Sequence, residues 1–263
     1  MNFRKLKLIL HAYLLRLKGR ANSGWCPVCS CKTTFVEYGT WLRDNYLCIK
    51  CHSIPRNRAL IHTLTSYFPE YRSLKIHESS PSGAASAKIA SDCPGYVPTQ
   101  LFTEIPPGSY QSGVRCQNLE CMTFPDDSFD LIITQDVFEH VMHPDRAFAD
   151  IARTLKPGGA HIFTVPLYPR KQTMIRAIES EGTIKHLAEP QYHGNPVDEK
   201  GSLVIREWGE DIVDYIRQSC GMTTSVYKLQ DRKLGIDGEF LEIFISRKPL
   251  ISFPPITSTA LLT

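Results

Sequence analysis

Phe124-Pro125-Asp126-Asp127-Ser128-Phe129-Asp130-Leu131-Ile132-Ile133-Thr134-Gln135-Asp136-Val137-Phe138-Glu139-His140-Val141 is the stretch on which the fold turns. Its Pro and Asp cluster reads as a turn, and residues 129–134 form a short apolar run of the kind that makes a fully buried strand. Downstream, residues 144–155 have helical spacing. Lys156-Pro157-Gly158-Gly159 stops that helix, and residues 160–165 read as a second buried strand. A strand, a helix and a further strand in this order predict a parallel sheet with covering helices.

The same alternation extends outward in both directions. Upstream, a helix over 57–68 ends before Pro69, a short strand over 74–78 ends in Glu78, and an Ala-rich helix follows over 84–91. Strands are expected around 96–100 and over 114–117. Downstream, a helix over 209–220 precedes strands around 225–229 and 240–246, which are expected to close the sheet as a hairpin. The resulting fold class is α/β, a mostly parallel sheet with an antiparallel C-terminal hairpin.

Composition agrees with a globular chain of 263 residues: 42% is hydrophobic, 22% is charged, and no apolar run approaches the ~20 residues that a bilayer requires. No secretion signal is expected, because Arg16 and Lys18 interrupt the N-terminal apolar residues. The net charge of +3 is uneven. Residues 1–36 carry seven basic side chains and no acid, which leaves 23 basic against 27 acidic residues elsewhere. A body of that sign offers no general surface for a nucleic-acid backbone. Nine cysteines without a secretion signal point to a reducing, cytoplasmic compartment, where paired cysteines bind metal more often than they form disulfides.

In the basic tail, residues 1–22, Phe3, Leu6, Leu10, Tyr13, Leu14 and Leu17 share one helical face, and Leu8 and Leu15 interrupt the polar face opposite. The tail reads either as a helix docked on the protein's own body or as one in peripheral contact with an anionic membrane, at the inner face of the cell. The next module, residues 23–56, holds Cys26-Pro27-Val28-Cys29 and Cys48-Ile49-Lys50-Cys51. Two C-x2-C turns supply the four thiolates of a closed, structural Zn²⁺ site, a zinc ribbon, although the spacing also admits iron. Residues 35–38 and 46–47 are the expected hairpin strands. Cys31 fits no ligand spacing and reads as a spare thiol. Arg56-Asn57-Arg58 reads as solvated surface, with helix docking or an anion contact as the alternatives.

From 115 to 166 the order of motifs resembles the class I S-adenosylmethionine (SAM)-dependent methyltransferases of the type 11 kind. The features are the Pro-Asp-Asp-Ser-Phe-Asp turn and strand, the Asp136 to Val141 segment, and the Leu155-Lys156-Pro157-Gly158-Gly159 turn into a strand ending Thr164-Val165-Pro166. The resemblance implies a Rossmann-like domain over 57–247, with a substrate lid at about 167–206 and a tail at 248–263. It also implies a SAM site at the carboxyl ends of the strands. Glu78 matches the acid that ends the family's first strand. The glycine-rich turn after it reads here Ser79-Ser80-Pro81-Ser82-Gly83, so Ser80 and Ser82 stand where glycines are expected. Gln100, with Glu104 as fallback, takes the place of the ribose-binding acid. Asn118 and Leu119 match the adenine-binding position, with Asn118 accepting from the amino group, and Gln135 and Asp136 lie at the end of the fourth strand. His140 falls one helical turn beyond Asp136, which either lines the cleft or caps a helix.

The lid gathers His186, Glu189, Tyr192, His193 and Asp198 among turn formers. The activity implied is methyl transfer from SAM to an oxygen or nitrogen of a small or carbohydrate-like acceptor, with His193 as the preferred general base and His140 as the second choice. The rival is a catalytically inactive interaction protein, consistent with Ser80, Ser82 and Gln100. A nicotinamide oxidoreductase would want G-x-G-x-x-G after the first strand, and the chain lacks it.

Overall fold

The computed structural model describes residues 14–195 and 198–250. Most of the tail helix therefore lies outside the described residues. Its last turn, residues 14–17, departs from the expected facing. Leu15 is buried against Val36, whereas Leu14 and Leu17 are exposed. The strand that follows at once redirects the chain, and Arg20 N–H donates to the Leu15 carbonyl at 2.8 Å.

The cysteine module is a three-stranded antiparallel sheet of β1 (Ala21–Cys26), β2 (Cys31–Glu37) and β3 (Tyr46–Cys48), with a single helical turn, α1 (Leu42–Asn45), between the last two. β2 pairs with β3 in the register Phe35 to Cys48 and Val36 to Leu47. Apart from the small cluster of Val36 with Leu15, Ala21 and Ile49, the module shares the core of the body. Phe35, Tyr46, Cys26 and Cys48 belong to one buried cluster with Leu60, Ile61 and Ile76 of the body.

Helix α2 (Pro55–Tyr67) opens on a proline, whose missing N–H costs nothing in the first turn, and it leads into β4 (Ile76–Ser79). Helix α3 (Gly83–Asp92), β5 (Tyr96–Gln100), the short β6 (Tyr110–Gln111), β7 (Val114–Cys116), β8 (Phe129–Gln135), α4 (Pro144–Thr154) and β9 (Leu155–Thr164) follow. After them comes an insertion of six strands: β10 (Met174–Ile175), β11 (Ala177–Ser180), β12 (Thr183–His186), β13 (Tyr192–Asn195), β14 (Asp198–Leu203) and β15 (Arg206–Glu207). Helix α5 (Ile212–Cys220), β16 (Thr223–Tyr227) and β17 (Ile243–Arg247) complete the body.

The main sheet has the order β16-β17-β9-β8-β4-β5-β7-β6. The five strands from β9 to β7 run parallel, β17 is antiparallel to β9 and β16, and β6 is antiparallel to β7. This is a Rossmann-like sheet, and the expected C-terminal hairpin joins it. Strand period fixes its two faces. Leu131, Ile133, Ile243 and Ile245 pack with α2 and α3, whereas Ile132, Phe163 and Phe244 pack with α4 and α5. The chain crosses between faces at β4 and β8, which are parallel neighbours, and open α/β sheets bind ligands at the carboxyl edge of such a switch point.

The insertion is built, not loose. β10 and β15 pair as a base, and the hairpins β11-β12 and β13-β14 lie between them in sequence. Backbone and side chains together anchor it to the segment after β8: Ile205 N–H donates to the Glu139 carbonyl at 2.8 Å and Arg206 donates to the Met142 carbonyl at 3.0 Å, while Val204 N–H to the Gln191 carbonyl closes the insertion on itself.

Candidate functional site

At the carboxyl edge of β4, β5, β7 and β8 lies a cavity of about 1540 Å³. Ligand sites typically measure ~300–1,000 Å³, so this one has room for two ligands side by side. Ser80, Ser82, Gln100, Asn118, Leu119, Gln135, Asp136, His140 and His193 all line it, as does Glu104. Residues from one end of the sheet and from the insertion thus converge on one space.

Glu78 and Gly83, also assigned to the cofactor site from the sequence, do not line the cavity. The Glu78 carboxylate is buried, and it accepts from Tyr96 Oη at 2.6 Å, Gln135 Nε2 at 2.7 Å and Ser86 Oγ at 2.8 Å. Burial pushes its pKa up while those three donors pull it down. Its role here is to tie β4 to β5, β8 and α3 behind the cavity wall. Gln135 extends this network, since its Oε1 accepts from Asn57 Nδ2 at 3.4 Å.

The turn after β4 keeps the backbone that glycine would supply. Ser80 sits at φ 55° and Gly83 at φ 73°, both in the left-handed region. The substitution of Ser80 for glycine therefore changed the side chain without changing the path of the chain. Asn118 has one of its two acceptor sites already in use. Its Oδ1 accepts from the Glu120 amide at 2.9 Å, an Asx turn, which leaves its Nδ2 as the group free to donate. A donor suits a ring nitrogen better than an amino group.

Asp136 caps no helix. It adopts φ 51°, and the residues after it form a turn closed by His140 N–H to Val137 O, with α4 starting only at Pro144. Asp136 Oδ1 accepts from Thr164 Oγ1 at 2.8 Å, and Oδ2 accepts from Arg43 at 2.6 Å and from Arg56. These arginines come from α1 of the cysteine module and from the first turn of α2. The Arg56-Asn57-Arg58 segment is accordingly not solvated surface. Arg58 is fully buried and donates to the carbonyls of Tyr46, Ser53 and Gly235, which locks the module onto the body.

Sequence reasoning missed Glu139. It is 2% exposed on the cavity wall, neither carboxylate oxygen has a well-formed hydrogen bond among the described residues, and burial pushes its pKa up to about 7 against the pull of its own backbone N–H and of Arg43 and Arg56. Its signal was present as an acid inside the Val137-Phe138-Glu139-His140-Val141 run. Arg43 gave no signal, because its role depends on a contact 93 residues away. Beside Glu139, the rings of His140 and His193 meet edge to face at 5.0 Å. Burial lowers both pKa values, that of His140 to about 4. Of the other lid residues, Tyr192 lines the cavity, His186 and Glu189 are exposed away from it, and the Asp198 side chain lies outside the described residues.

In the cysteine module, the sulfurs of Cys26, Cys29, Cys48 and Cys51 all lie within 4.8 Å of one another. Cys26 and Cys51 are 3.7 Å apart, and Cys29 and Cys48 are 3.9 Å apart. Tetrahedral ligands at the ~2.3 Å Zn–S distance would be separated by about 3.8 Å. Cys31 stands outside that group, with its sulfur 3.4 Å from that of Cys29.

Residues 99–163, from the end of β5 through β9, match a family model described as a methyltransferase domain. That segment, about a quarter of the chain, is similar to a methyltransferase domain. Similar curated proteins include the ubiquinone/menaquinone biosynthesis C-methyltransferase UbiE of Francisella tularensis, 40% identical over 55 residues that make up 20% of this chain and 22% of that protein. Its counterpart in Hydrogenovibrio crunogenus is 26% identical over 123 residues, 40% of this chain and 47% of that protein. The chain thus spans less than half the length of these relatives. Among solved structures, an S-adenosylmethionine-dependent methyltransferase from Mesorhizobium loti aligns with a TM-score of 0.48 and 16% identity, over 72% of this chain and 97% of that one. The matched segment contains Asn118, Leu119, Gln135, Asp136, Glu139 and His140. The cysteine module and the lid lie outside it.

Proposed function

We propose that the protein is a SAM-dependent methyltransferase acting on an oxygen or nitrogen of a small or carbohydrate-like acceptor. The observation that carries this reading is the convergence of Ser80, Ser82, Gln100, Asn118, Leu119, Gln135 and Asp136 on one cavity at the sheet's switch point. The residues fit the cofactor. A small-residued turn with a left-handed Ser80 admits close backbone approach, and Gln100 or Glu104 offers acceptors for ribose hydroxyls. Asn118 offers a donor near an adenine ring. SAM supplies a methyl already activated by its sulfonium, so transfer needs an acceptor lone pair in line with the S–CH₃ bond and water kept out.

The chain's own residues do the rest. The lid hairpin β13-β14 roofs the cavity and brings Tyr192 and His193 over it. His193 is the preferred acceptor for the proton that a hydroxyl or amine must lose, and His140 is the second candidate. In the cysteine module, Cys26, Cys29, Cys48 and Cys51 are the ligands we assign to one structural Zn²⁺, held in the ribbon that positions Arg43. The C-methyltransferase relatives make carbon the competing acceptor atom. Nothing here calls for a nucleic-acid partner, and among the described residues no helix is long and apolar enough to cross a membrane. We place the protein in the cytoplasm, with the basic tail as its candidate membrane contact.

Calorimetry with SAM and with S-adenosylhomocysteine on the zinc-loaded full chain tests the reading. Micromolar binding of both is expected. Absence of binding in folded protein would establish the inactive interaction protein instead. Methyl transfer from labelled SAM across a panel of hydroxyl, amine and activated-carbon acceptors then identifies the acceptor atom.

A further inference from the structure

The geometry points to a second metal site, in which Glu139, His140 and His193 hold a divalent transition-metal ion on the wall of the cavity, with a coordination position left open towards the acceptor. One ligand atom from each of these residues lies within 4.8 Å of the other two. Glu139 Oε1 is 3.8 Å from His140 Nε2 and 3.8 Å from His193 Nδ1. Those separations exceed a hydrogen bond, yet they lie within a few tenths of an ångström of the ~3.4 Å expected between tetrahedral ligands at about 2.1 Å from an ion.

Three further observations favour an ion over a plain polar cluster. Both Glu139 oxygens are buried with no well-formed hydrogen bond among the described residues, and a buried carboxylate so placed is costly enough that something is expected to compensate it. His140 Nδ1 lies 2.8 Å from the Leu203 carbonyl, and only an N–H can donate there. The neutral ring therefore presents the lone pair of Nε2 to the cluster, as a ligating histidine does when a carbonyl fixes its tautomer. The backbone is also braced, because Ile205 N–H bonds the Glu139 carbonyl and so holds the lid strand carrying Leu203 against the turn carrying Glu139 and His140.

The nearby arginines do not exclude a cation. Arg43 and Arg56 are both held by Asp136 and lie 3.9 Å from Asp44, so with Glu139 three carboxylates face two guanidiniums. A divalent ion takes this set from −1 to +1, and an ionised acceptor oxygen would neutralise it. Two histidines and one carboxylate with an open position are a ligand set used by zinc and by non-haem iron. Such an ion would lower the pKa of a coordinated acceptor hydroxyl. The proton would then pass to solvent at the open side of the cavity, and the acceptor oxygen would form its bond to the methyl as the S–CH₃ bond breaks and S-adenosylhomocysteine leaves, so that His193 would act through the ion instead of removing the proton itself. The binding claim stands alone; only this chemical role rests on the methyltransferase reading.

The test is a zinc count on the full chain, equilibrated with Zn²⁺ and gel-filtered, with no SAM or acceptor present. Wild type is expected to hold two zinc ions, one in the ribbon and one here. Glu139→Gln, which is isosteric and removes a buried charge, and His193→Ala, at the half-exposed lid, are each expected to hold one, with zinc affinity at the second site at least tenfold weaker. A single zinc in wild type, or two in wild type and in both variants, would overturn the site and leave ordered water as the partner of Glu139. Calorimetry with SAM on the same samples judges the methyltransferase reading separately.

Discussion

Ser80 and His193 show how much one side chain decides at this site. Ser80 holds a left-handed backbone at φ 55°, a conformation that costs an L-residue ~1–2 kcal/mol and a β-branched one more. Ser80→Gly should therefore leave stability within about 1 kcal/mol, because relief of the strain offsets glycine's extra chain entropy. Ser80→Val should cost about 1–3 kcal/mol in urea unfolding and weaken SAM binding measured by calorimetry. An equal tolerance of both would mean that the turn does not need its glycine-like path. His193→Ala should lower turnover by roughly 10²–10⁴-fold with SAM affinity nearly intact, as a role in deprotonating the acceptor requires, whether His193 takes the proton itself or ligates an ion that lowers the acceptor's pKa. Normal turnover would remove His193 from the chemistry. The sequence reached both residues, because a family turn and a histidine among turn formers are local signals. It did not reach the arginine pair on Asp136 or the anchoring by Arg58, because the partners of those side chains are set by the docking of the module.

At the scale of elements, the strands and helices of the body were legible because each carries a period. β8 is a run of residues buried on both faces, α4 is amphipathic, and β17 alternates Ile243, Phe244 and Ile245 between two cores. The insertion was legible only as a long polar segment, since strands of two to six residues, most of them exposed, give too few buried repeats to show a period. The cysteine module was legible as four thiols converging on one point but not as part of the main core. Trp25 N–H bonds Lys233 O at 2.7 Å, Arg58 bonds Gly235 O at 2.8 Å, and Phe35 and Tyr46 pack in the cluster that contains Ile76. A Cβ at Gly24 would lie 2.0 Å from Lys233 O, so β1 runs in direct backbone contact with that segment. From its spacing alone, the ribbon would be expected to unfold by itself when its metal is lost. The shared core predicts otherwise. Cys48→Ser with Cys51→Ser should abolish the ribbon zinc and destabilise the whole chain in one transition by about 5 kcal/mol or more, given the ~10–16 kcal/mol attached to such metal sites. Zinc content and thermal unfolding followed by circular dichroism check both parts, and a body melting at the wild-type temperature would show that the two regions are independent after all.

Across the whole molecule, two histidines sit in the middle of the sheet, where the sequence shows only strand residues. His77 of β4 is buried between Phe124 and Phe129 with Nε2 2.8 Å from Thr99 Oγ1, and His161 of β9 stacks on Phe163 with Nε2 3.0 Å from Thr134 Oγ1. Burial pushes each pKa down to about 3, with the Arg115 charge adding to the effect at His77 and the His77 charge at His161. An imidazole in the unfolded chain binds its proton near pH 6.5, so as pH falls below that value the unfolded state takes up protons that the folded state refuses. The stability contribution is complete above pH ~6.5 and is lost between there and about 3, at up to ~1.4 kcal/mol per pH unit for each ring. Glu78 and Glu139 act with the opposite sign, because burial raises their pKa values and the folded state binds their protons first. The histidine term must therefore be read as a difference between proteins. Urea unfolding of wild type and of His161→Leu at pH 7.5 and pH 5.5 isolates it, since the carboxylate terms are common to both. Wild type should lose about 1.4 kcal/mol more than the variant over that interval. Parallel losses would mean that His161 becomes charged inside the folded sheet, and the buried interior around β8 and β9 would then have to admit water.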